Sequence, residues 1–259
     1  MPEGDSVWQT AKRLREVLEG QALRHTDFRF PAHATADLAG QVVDEVLSRG
    51  KHLLIRVDDR TVHSHLKMEG RWDVHPLGTR WRRPAHAARI VLRTDAYEAV
   101  GFWLGIAEVI ERDREFDAVG HLGPDLLGPD WDAGEAIRRL RQRPERPVFL
   151  ALLDQQNLAG LGNEYVNEVL FIAGLAPTRA IADVPDPDRL VALAHRVISD
   201  NRDRIRRTFT GNTRRGQERW VYGRDRETCR RCGGPIMRGS LGDTPTSQRD
   251  TFWCPHCQT

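Results

Sequence analysis

The chain begins Met-Pro-Glu, which places a proline and a carboxyl group directly behind the initiator methionine. A small second residue such as Pro2 permits removal of Met1, and the mature chain then starts with a secondary amine beside Glu3. An α-amino group titrates at about 7.7–8.0, against about 10.4 for lysine, so much of it is an unprotonated nucleophile at neutral pH. The pair is therefore a candidate nucleophile with a neighbouring acid. The alternative is a disordered leader, which is the common state of a chain terminus.

Lysine is scarce, because Lys12, Lys51 and Lys67 are the only lysines among 39 basic residues. An ammonium group can give up its proton at accessible pH, whereas a guanidinium group hardly can. This difference singles out Lys51 and Lys67 as candidates for chemistry that arginine does not perform.

All four cysteines lie in the last 31 residues, as two C-x-x-C pairs separated by 21 residues: Cys229, Cys232, Cys254 and Cys257. This spacing suits four thiolate ligands around one zinc ion, and a site closed by four sulfurs indicates a structural metal. Two disulfides or a redox pair are the alternatives, which a cytosolic chain without other cysteines disfavours. The segment between the pairs would form a hairpin that carries Arg249 at a fixed position.

A glycine-rich turn, "GLGNEY", precedes a helical apolar stripe, and Asn163 is the expected N-cap of that helix. The bare backbone N–H groups of a helix start form an anion site, and a glycine turn between two helices is typical of proteins that bind the DNA backbone. The alternative is an ordinary helix hairpin that binds nothing.

The net charge of +2 says little, but its distribution is uneven. Residues 202–231 hold eleven arginines against four acids, a net charge of +7, and such a segment is typical of a polyanion-binding surface. No apolar run is long enough to span a bilayer and no targeting leader precedes the first helix. We therefore expect a soluble cytoplasmic protein without a membrane partner, associated with the nucleoid when it binds DNA.

The patterns predict an α+β chain with an N-terminal antiparallel β-sandwich and a flanking helix. That helix is expected from about Asp5 to Leu18, ended by Gly20, and is followed by seven short strand-like runs between residues 22 and 111. A linker rich in Gly, Pro and Asp, a helical region and a small cysteine module come next. The predicted divisions are 1–112 (catalytic β-sandwich), 113–132 (linker), 133–216 (helical DNA-binding domain) and 217–259 (zinc finger).

Six motifs together resemble the formamidopyrimidine-DNA glycosylase/endonuclease VIII family over nearly the whole chain. They are "MPEG", "SRGKHLL", "SHLKMEG", "HLGPDLL", "GLGNEYVNEVLF" and the terminal "QRDTFWCPHCQ". The resemblance implies a helix-two-turn-helix domain ahead of a zinc-finger hairpin. It also implies a bifunctional DNA glycosylase and abasic-site lyase of base excision repair, which acts as a monomer on double-stranded DNA with damaged bases or abasic sites.

The resemblance assigns the chemistry residue by residue. Pro2 attacks C1′ of the damaged nucleotide, expels the base and leaves a Schiff base, while Glu3 gives a proton to the ring oxygen of the sugar. Lys51 supports elimination of the 3′ phosphate and Arg249 supports the second elimination, at the 5′ phosphate. Asn163 matches the asparagine that binds the DNA backbone after the helix turn. His63, His65 and His121 are further candidates for contact with DNA, and a structural role is the alternative because isolated histidines are more often structural.

A base inside a duplex must be flipped out to reach such a site. The resemblance places Lys67 and Met68 in the loop that fills the void, with Met68 as the apolar plug; a buried core methionine is the alternative.

The sequence departs from the family pattern at Asp5 and Ser6, where proline and glutamate are frequent, so Asp5 is left as a substitute for the missing carboxylate. The arginine-phenylalanine motif of the 8-oxoguanine branch is also absent, and "PEG" is more similar to the endonuclease VIII branch. We therefore expect oxidised pyrimidines or abasic sites as substrates.

Two other classes of protein remain as hypotheses. A non-catalytic damaged-DNA-binding zinc-finger protein would have the same DNA-binding parts, but the intact Pro2, Glu3 and Lys51 disfavour it. A zinc hydrolase is disfavoured because a closed four-thiolate site leaves no open coordination position.

Overall fold

The computed structural model describes residues 2–259 and shows a mixed α+β protein with two compact units. The first unit ends at His121 and the second runs from Leu122 to Thr259. The helices and strands are α1 (Gly4–Leu18), β1 (His25–Phe28), β2 (Val43–Arg49), β3 (His52–Val57), β4 (Arg60–His65), β5 (Arg71–Pro76), β6 (Ala88–Arg93), β7 (Tyr97–Phe102), β8 (Ile106–Glu111), α2 (Glu115–Val119), α3 (Ala133–Leu140), α4 (Val148–Leu153), α5 (Asn163–Ala173), α6 (Pro187–Asn201), β9 (Met237–Leu241) and β10 (Arg249–Trp253).

None of the helices in the described chain combines the length and the apolar character that a membrane crossing requires.

Helix α1 forms because one apolar stripe recurs at helical spacing and becomes fully buried. Its members are each at most 1% exposed: Val7, Ala11, Leu14 and Leu18. The helix begins one residue earlier than predicted, after Glu3, and no side chain caps it. Gly20 ends it as predicted, since its φ of +75° suits glycine and its N–H donates to the Val43 carbonyl at 2.8 Å.

The first unit contains two antiparallel four-stranded sheets, with strand orders β1-β6-β7-β5 and β2-β3-β4-β8. Side chains from both sheets and from α1 share one apolar core, to which Val46, Ile55 and Ile90 contribute. This arrangement confirms the predicted antiparallel β-sandwich with a flanking helix. Burial of each such side chain contributes about 1.5–3 kcal/mol.

Two features of the first unit differ from the sequence prediction. Strand β7 was not predicted, because every residue after Tyr97 in it is buried and no polar–apolar alternation marks it. The stretch after Glu111 was predicted as a linker, but its first part is a 3₁₀ turn followed by α2. Glu115 of α2 accepts hydrogen bonds from Arg56 at 2.6 and 2.9 Å, which fixes this segment to the sheet.

The second unit is helical up to Asn201 and ends in the β9–β10 hairpin. Helices α3 to α6 share one apolar core. Nine of the eleven residues of α5 are buried, including the polar Asn163, Glu164, Asn167 and Glu168. The hairpin has its own small core, which includes Phe171 of α5, Val221, Ile236 and Phe252.

Candidate functional site

The N-terminal pair lies at the start of α1. Pro2 is half-buried, and Glu3 is 0% exposed with an extended backbone at the N-cap position. The Glu3 carbonyl accepts the Val7 N–H at 3.1 Å, which is the first turn of the helix. The positive end of a helix favours a carboxylate there. Removal of Met1 lies outside the described residues and stays a prediction.

Asp5 follows in the first turn of α1 and is also buried, at 3% exposure. Its Oδ1 accepts the Ser6 N–H at 2.7 Å. Two buried carboxyl groups therefore lie within the first five residues, and Asp5 stays the candidate for the missing supporting carboxylate.

Lys51 lies in the two-residue turn between β2 and β3. Arg49 pairs with His52 across the hairpin, so Gly50 and Lys51 alone make the turn, and the φ of +57° at Gly50 explains the glycine. Lys51 is half-buried. Burial first, and then the charges of Lys67 and Lys51, lower the pKa of His65 to about 4, which places both lysines near this histidine.

A second turn, residues 66–70, joins β4 to β5 and carries Lys67 and Met68. Met68 is 67% exposed, so the alternative of a buried core methionine is wrong. The Gly70 N–H donates to the Leu66 carbonyl at 2.9 Å, and a Cβ at Gly70 would lie 2.3 Å from that oxygen. Only glycine closes this turn without a clash.

Asn163 is the first residue of α5 and not its N-cap, which corrects the sequence prediction: Gly162 occupies the cap and supplies no side chain. The Asn163 side chain instead donates from Nδ2 to the Asp250 carbonyl at 3.0 Å. One turn later, Asn167 Oδ1 accepts the Phe252 N–H at 2.6 Å. Two asparagines thus fix strand β10 against the start of α5.

Arg249 is the first residue of β10 and is exposed. Its Nη1 donates to the Gln248 carbonyl at 2.9 Å, and it forms no ion pair within residues 2–259. Because Asn163 binds the carbonyl of the next residue, Asp250, the structure brings Asn163 and the backbone of Arg249 to the same end of the hairpin.

His121 is exposed at the end of the first unit, with its ring centroid 6.2 Å from that of His52. The DNA-contacting role of His121 stays a prediction.

The sequence prediction missed the two buried glutamates of α5. Glu168 is fully buried and accepts the backbone N–H groups of Trp220, Val221 and Tyr222 at 2.7–2.9 Å. Glu164 accepts from Arg207 and Arg219, both at 2.7 Å. The sequence did contain a signal for their burial: Glu164, Asn167 and Glu168 have i, i+3, i+4 spacing in a strongly apolar helix, so they lie on one face of it.

Glu168→Gln is expected to lower the free energy of unfolding by about 1–3 kcal/mol, the cost of leaving a buried donor without an acceptor. A glutamine presents an NH₂ group to three N–H donors that a carboxylate satisfies. Burial raises the pKa of Glu168 to about 7, while the three N–H groups favour the ionised form. Denaturant unfolding at pH 8 measures the effect. An unchanged stability would show that the wild-type group is protonated.

The basic segment 202–231 has a partly structural role. Arg207 and Arg219 pair with Glu164, and the Arg231 guanidinium lies 4.3 Å from the Phe171 ring centroid. Arg214 and Arg215 are exposed. The net charge of this segment therefore overstates what is available to a polyanion.

The four cysteines converge, as their spacing predicted. The Sγ atoms of Cys229, Cys232, Cys254 and Cys257 all lie within 4.8 Å of one another. The Gly234 N–H is the main cause that lowers the pKa of Cys232, to about 6. Burial raises the pKa of Cys254 and Cys257, so the convergence of the four sulfurs, and not their acidity, indicates that they can hold a metal ion.

Comparisons with known proteins agree with this layout. The family model described as the formamidopyrimidine-DNA glycosylase N-terminal domain matches residues 1–103, and the model of its H2TH domain matches residues 122–202. The protein named DNA-(apurinic or apyrimidinic site) lyase Nei2 of Mycolicibacterium smegmatis is 50% identical over 259 residues, which cover 100% of this chain and 99% of the relative. Endonuclease 8 2 of Mycobacterium tuberculosis is 49% identical over 262 residues, and all of both chains is covered.

A solved structure of Lactococcus lactis Fpg, in complex with DNA that contains an abasic site, has a TM-score of 0.82 at 23% identity, with 100% of both chains covered. At this identity the likeness shows the shared fold. The two family models and the full-length relatives show more: this chain belongs to the formamidopyrimidine-DNA glycosylase family, in its endonuclease VIII branch.

Proposed function

We propose that this protein is a DNA glycosylase and abasic-site lyase of base excision repair, acting on oxidised pyrimidines in double-stranded DNA. The observation that carries the proposal is the buried Glu3 directly after Pro2 at the start of α1. Relatives that are about half identical over their full lengths are named as an abasic-site lyase and as an endonuclease 8, which supports the same chemistry.

The proposed reaction begins at the nitrogen of Pro2. This secondary amine, in its unprotonated form, attacks C1′, and the bond from C1′ to the base breaks. The base departs with the bonding electrons and takes up the proton that the nitrogen loses. Glu3 gives a proton to the ring oxygen, the ring opens, and an iminium bond joins Pro2 to the sugar. The iminium then withdraws electrons from C2′, a proton leaves that carbon, and the 3′ phosphate is eliminated.

Two basic residues are proposed to support the eliminations. Lys51, fixed in its two-residue turn, donates a proton to the leaving 3′ phosphate oxygen and holds a neighbouring phosphate. Arg249, exposed at the end of β10, contacts phosphate and supports the second elimination at the 5′ side. Together the two steps leave a one-nucleotide gap.

The cysteine cluster is proposed to hold one structural zinc ion. Four sulfurs that are each about 2.3 Å from a zinc ion lie about 3.8 Å apart in a tetrahedron. The Sγ atoms of Cys229 and Cys257 are 3.9 Å apart and those of Cys232 and Cys254 are 3.4 Å apart, which fits that geometry. The metal would fix the hairpin that carries Arg249, and it supplies no reactive group.

Base flipping is proposed to depend on the 66–70 turn. Met68 is the exposed apolar residue at its tip, suited to occupy the gap that a flipped base leaves in the stack. Lys67 precedes it and His121 is exposed in the same unit, and both are proposed to contact the DNA backbone.

A panel of duplexes tests the proposal. Each duplex carries one lesion, either 5-hydroxyuracil, 8-oxoguanine or an abasic site, and strand cleavage and borohydride trapping are measured side by side. We expect covalent trapping on abasic DNA and faster cleavage at 5-hydroxyuracil than at 8-oxoguanine. A protein that binds these duplexes but is never trapped on them would be a binding protein and not a lyase.

Asn163→Ala is expected to weaken binding to undamaged duplexes of different sequence by a similar factor, about 10-fold for a hydrogen bond to a charged group. Gel-shift titration at fixed salt measures it. Asn167→Ala is the matched control, because Asn167 also binds β10 but is buried one turn further along α5. Equal losses in both variants would show that the asparagines act only through the hairpin.

A further inference from the structure

Three histidines gather around His52, near the turns that carry Lys51 and Lys67. The rings of His52 and His63 lie nearly in one plane, with an interplanar angle of 15° and a centroid distance of 5.0 Å. The ring of His52 meets that of His65 edge to face at 4.9 Å. His121 lies further out, at 6.2 Å. All four residues belong to the first unit, and His63 is 2% exposed.

A chain of hydrogen bonds sets the protons of this cluster. Glu108 Oε1 accepts from His63 Nδ1 at 2.6 Å, so the proton of a neutral His63 lies on Nδ1. His63 Nε2 then accepts from His52 Nδ1, 2.7 Å away. Burial is the main cause that lowers the pKa of His52 to about 3, with the charges of the other three histidines and of Lys67 acting in the same direction.

His65 makes a different contact, to the backbone of the neighbouring turn. Its Nδ1 accepts the Lys67 N–H at 2.9 Å, so this nitrogen carries no proton. The His65 carbonyl accepts the Gly105 N–H at 3.0 Å, which fixes the end of β4. His65 is thus held on one side by the sheet and on the other by the ring of His52.

The contact matters because Lys67 has a φ of +53°, a region that side chains other than glycine rarely adopt. The stem of Lys67 lies against Gly105, where a Cβ would be 2.1 Å from Lys67 Cγ. Together with the bond from Gly70 to Leu66, the acceptor on His65 holds the backbone in this conformation, and Met68 follows directly at the exposed tip.

We propose that His65, packed against the Glu108–His63–His52 chain, is a positioning residue that holds the 66–70 turn in the conformation that presents Met68. The inference rests on the proposed function, because it gives the turn a purpose during base flipping. A transition-metal site is the competing use of clustered histidines. The neighbouring Lys51 and Lys67 ammonium groups disfavour a cation there.

The test compares two substitutions of similar size. His65→Asn keeps an acceptor, since Asn Oδ1 lies where His Nδ1 does, whereas His65→Leu removes it. Each variant is assayed for excision of 5-hydroxyuracil from a duplex and for cleavage of a single strand with a preformed abasic site, where no gap needs filling. We expect His65→Leu to slow duplex excision about 10- to 100-fold, the range that loss of control over a strained backbone conformation implies.

His65→Asn should stay within about threefold of wild type on the duplex, and both variants should stay within that range on the single strand. The His65→Leu substitution is also made together with Lys67→Gly, which completes a double-mutant cycle. Glycine adopts a positive φ without a supporting hydrogen bond. There, His65→Leu is expected to cost less than about threefold beyond the effect of Lys67→Gly alone.

Equal losses on both substrates, or a loss that is the same with lysine and with glycine at position 67, would overturn the inference. So would stoichiometric binding of Zn²⁺ that His65→Leu abolishes while the cysteine site stays filled. A wild-type chain that cleaves neither substrate overturns the proposed function itself.

Discussion

A chain that keeps residues in front of Pro2 is expected to lose borohydride trapping on abasic DNA by at least about 10³-fold, the order of loss seen when a covalent nucleophile is removed. In such a chain the nitrogen of Pro2 is a tertiary amide, which has no lone pair available for attack on C1′. The measurement is the yield of covalent complex after reduction, with mass spectrometry of the same sample to establish which residue is first.

The matched variant is Pro2→Gly, which keeps a terminal amine after removal of the starter residue. We expect it to be trapped less than wild type but far more than the extended chain. In both variants, the extended chain and Pro2→Gly, affinity for undamaged DNA and thermal stability should change little. Unchanged values would show that the buried Glu3 and the start of α1 are intact. An extended chain with undiminished strand cleavage would contradict a role for the terminal nitrogen.

Cys254→Ser is expected to abolish binding of the zinc ion proposed for the four cysteines and to unfold the C-terminal module. Structural zinc contributes an apparent ~10–16 kcal/mol in comparable fingers, far more than the small apolar core of this hairpin can replace. Cys254 is 0% exposed, and its N–H donates to Gln258 Oε1 at 2.9 Å. Because its side chain and backbone are both fixed, a neighbouring group cannot move in to replace its sulfur as a ligand. Zinc content by elemental analysis, near-UV circular dichroism and DNA affinity report the loss.

His256→Ala is the control within the same "CPHC" segment, because His256 is exposed and the four sulfurs converge without it. It should retain zinc, melting temperature and DNA affinity. If Cys254→Ser retained a full complement of zinc and a wild-type melting curve, the four-thiolate site would be wrong.

Much of the fold could be predicted because its signals are local. The buried stripe of α1, the stop at Gly20 and the alternation in most strands of the sandwich all follow from neighbouring residues. The convergence of the cysteines followed from their spacing alone. Strand β7 lacked such a signal, because it lies between β6 and β5 and is buried on both faces.

The parts that escaped prediction depend on partners far away in the sequence. The structural role of Glu168 could not be predicted, because the N–H groups that it binds are more than 50 positions later in the sequence. Asn163 is a residue type that is frequent at helix N-caps, but its side chain donates instead to the carbonyl of Asp250, 87 positions away. Likewise, the arginine count of segment 202–231 could not show that Arg207 and Arg219 are paired with Glu164.

The polar side chains of α5 have a consequence for how the molecule is made. Asn163, Asn167 and Glu168 bind backbone groups of residues 220–222, 250 and 252, all of which leave the ribosome later than the helix. During synthesis, domains fold in the order in which they emerge. Helix α5 is therefore available as a scaffold before the terminal module exists, and that module can assemble on a surface that already displays its acceptors and donors.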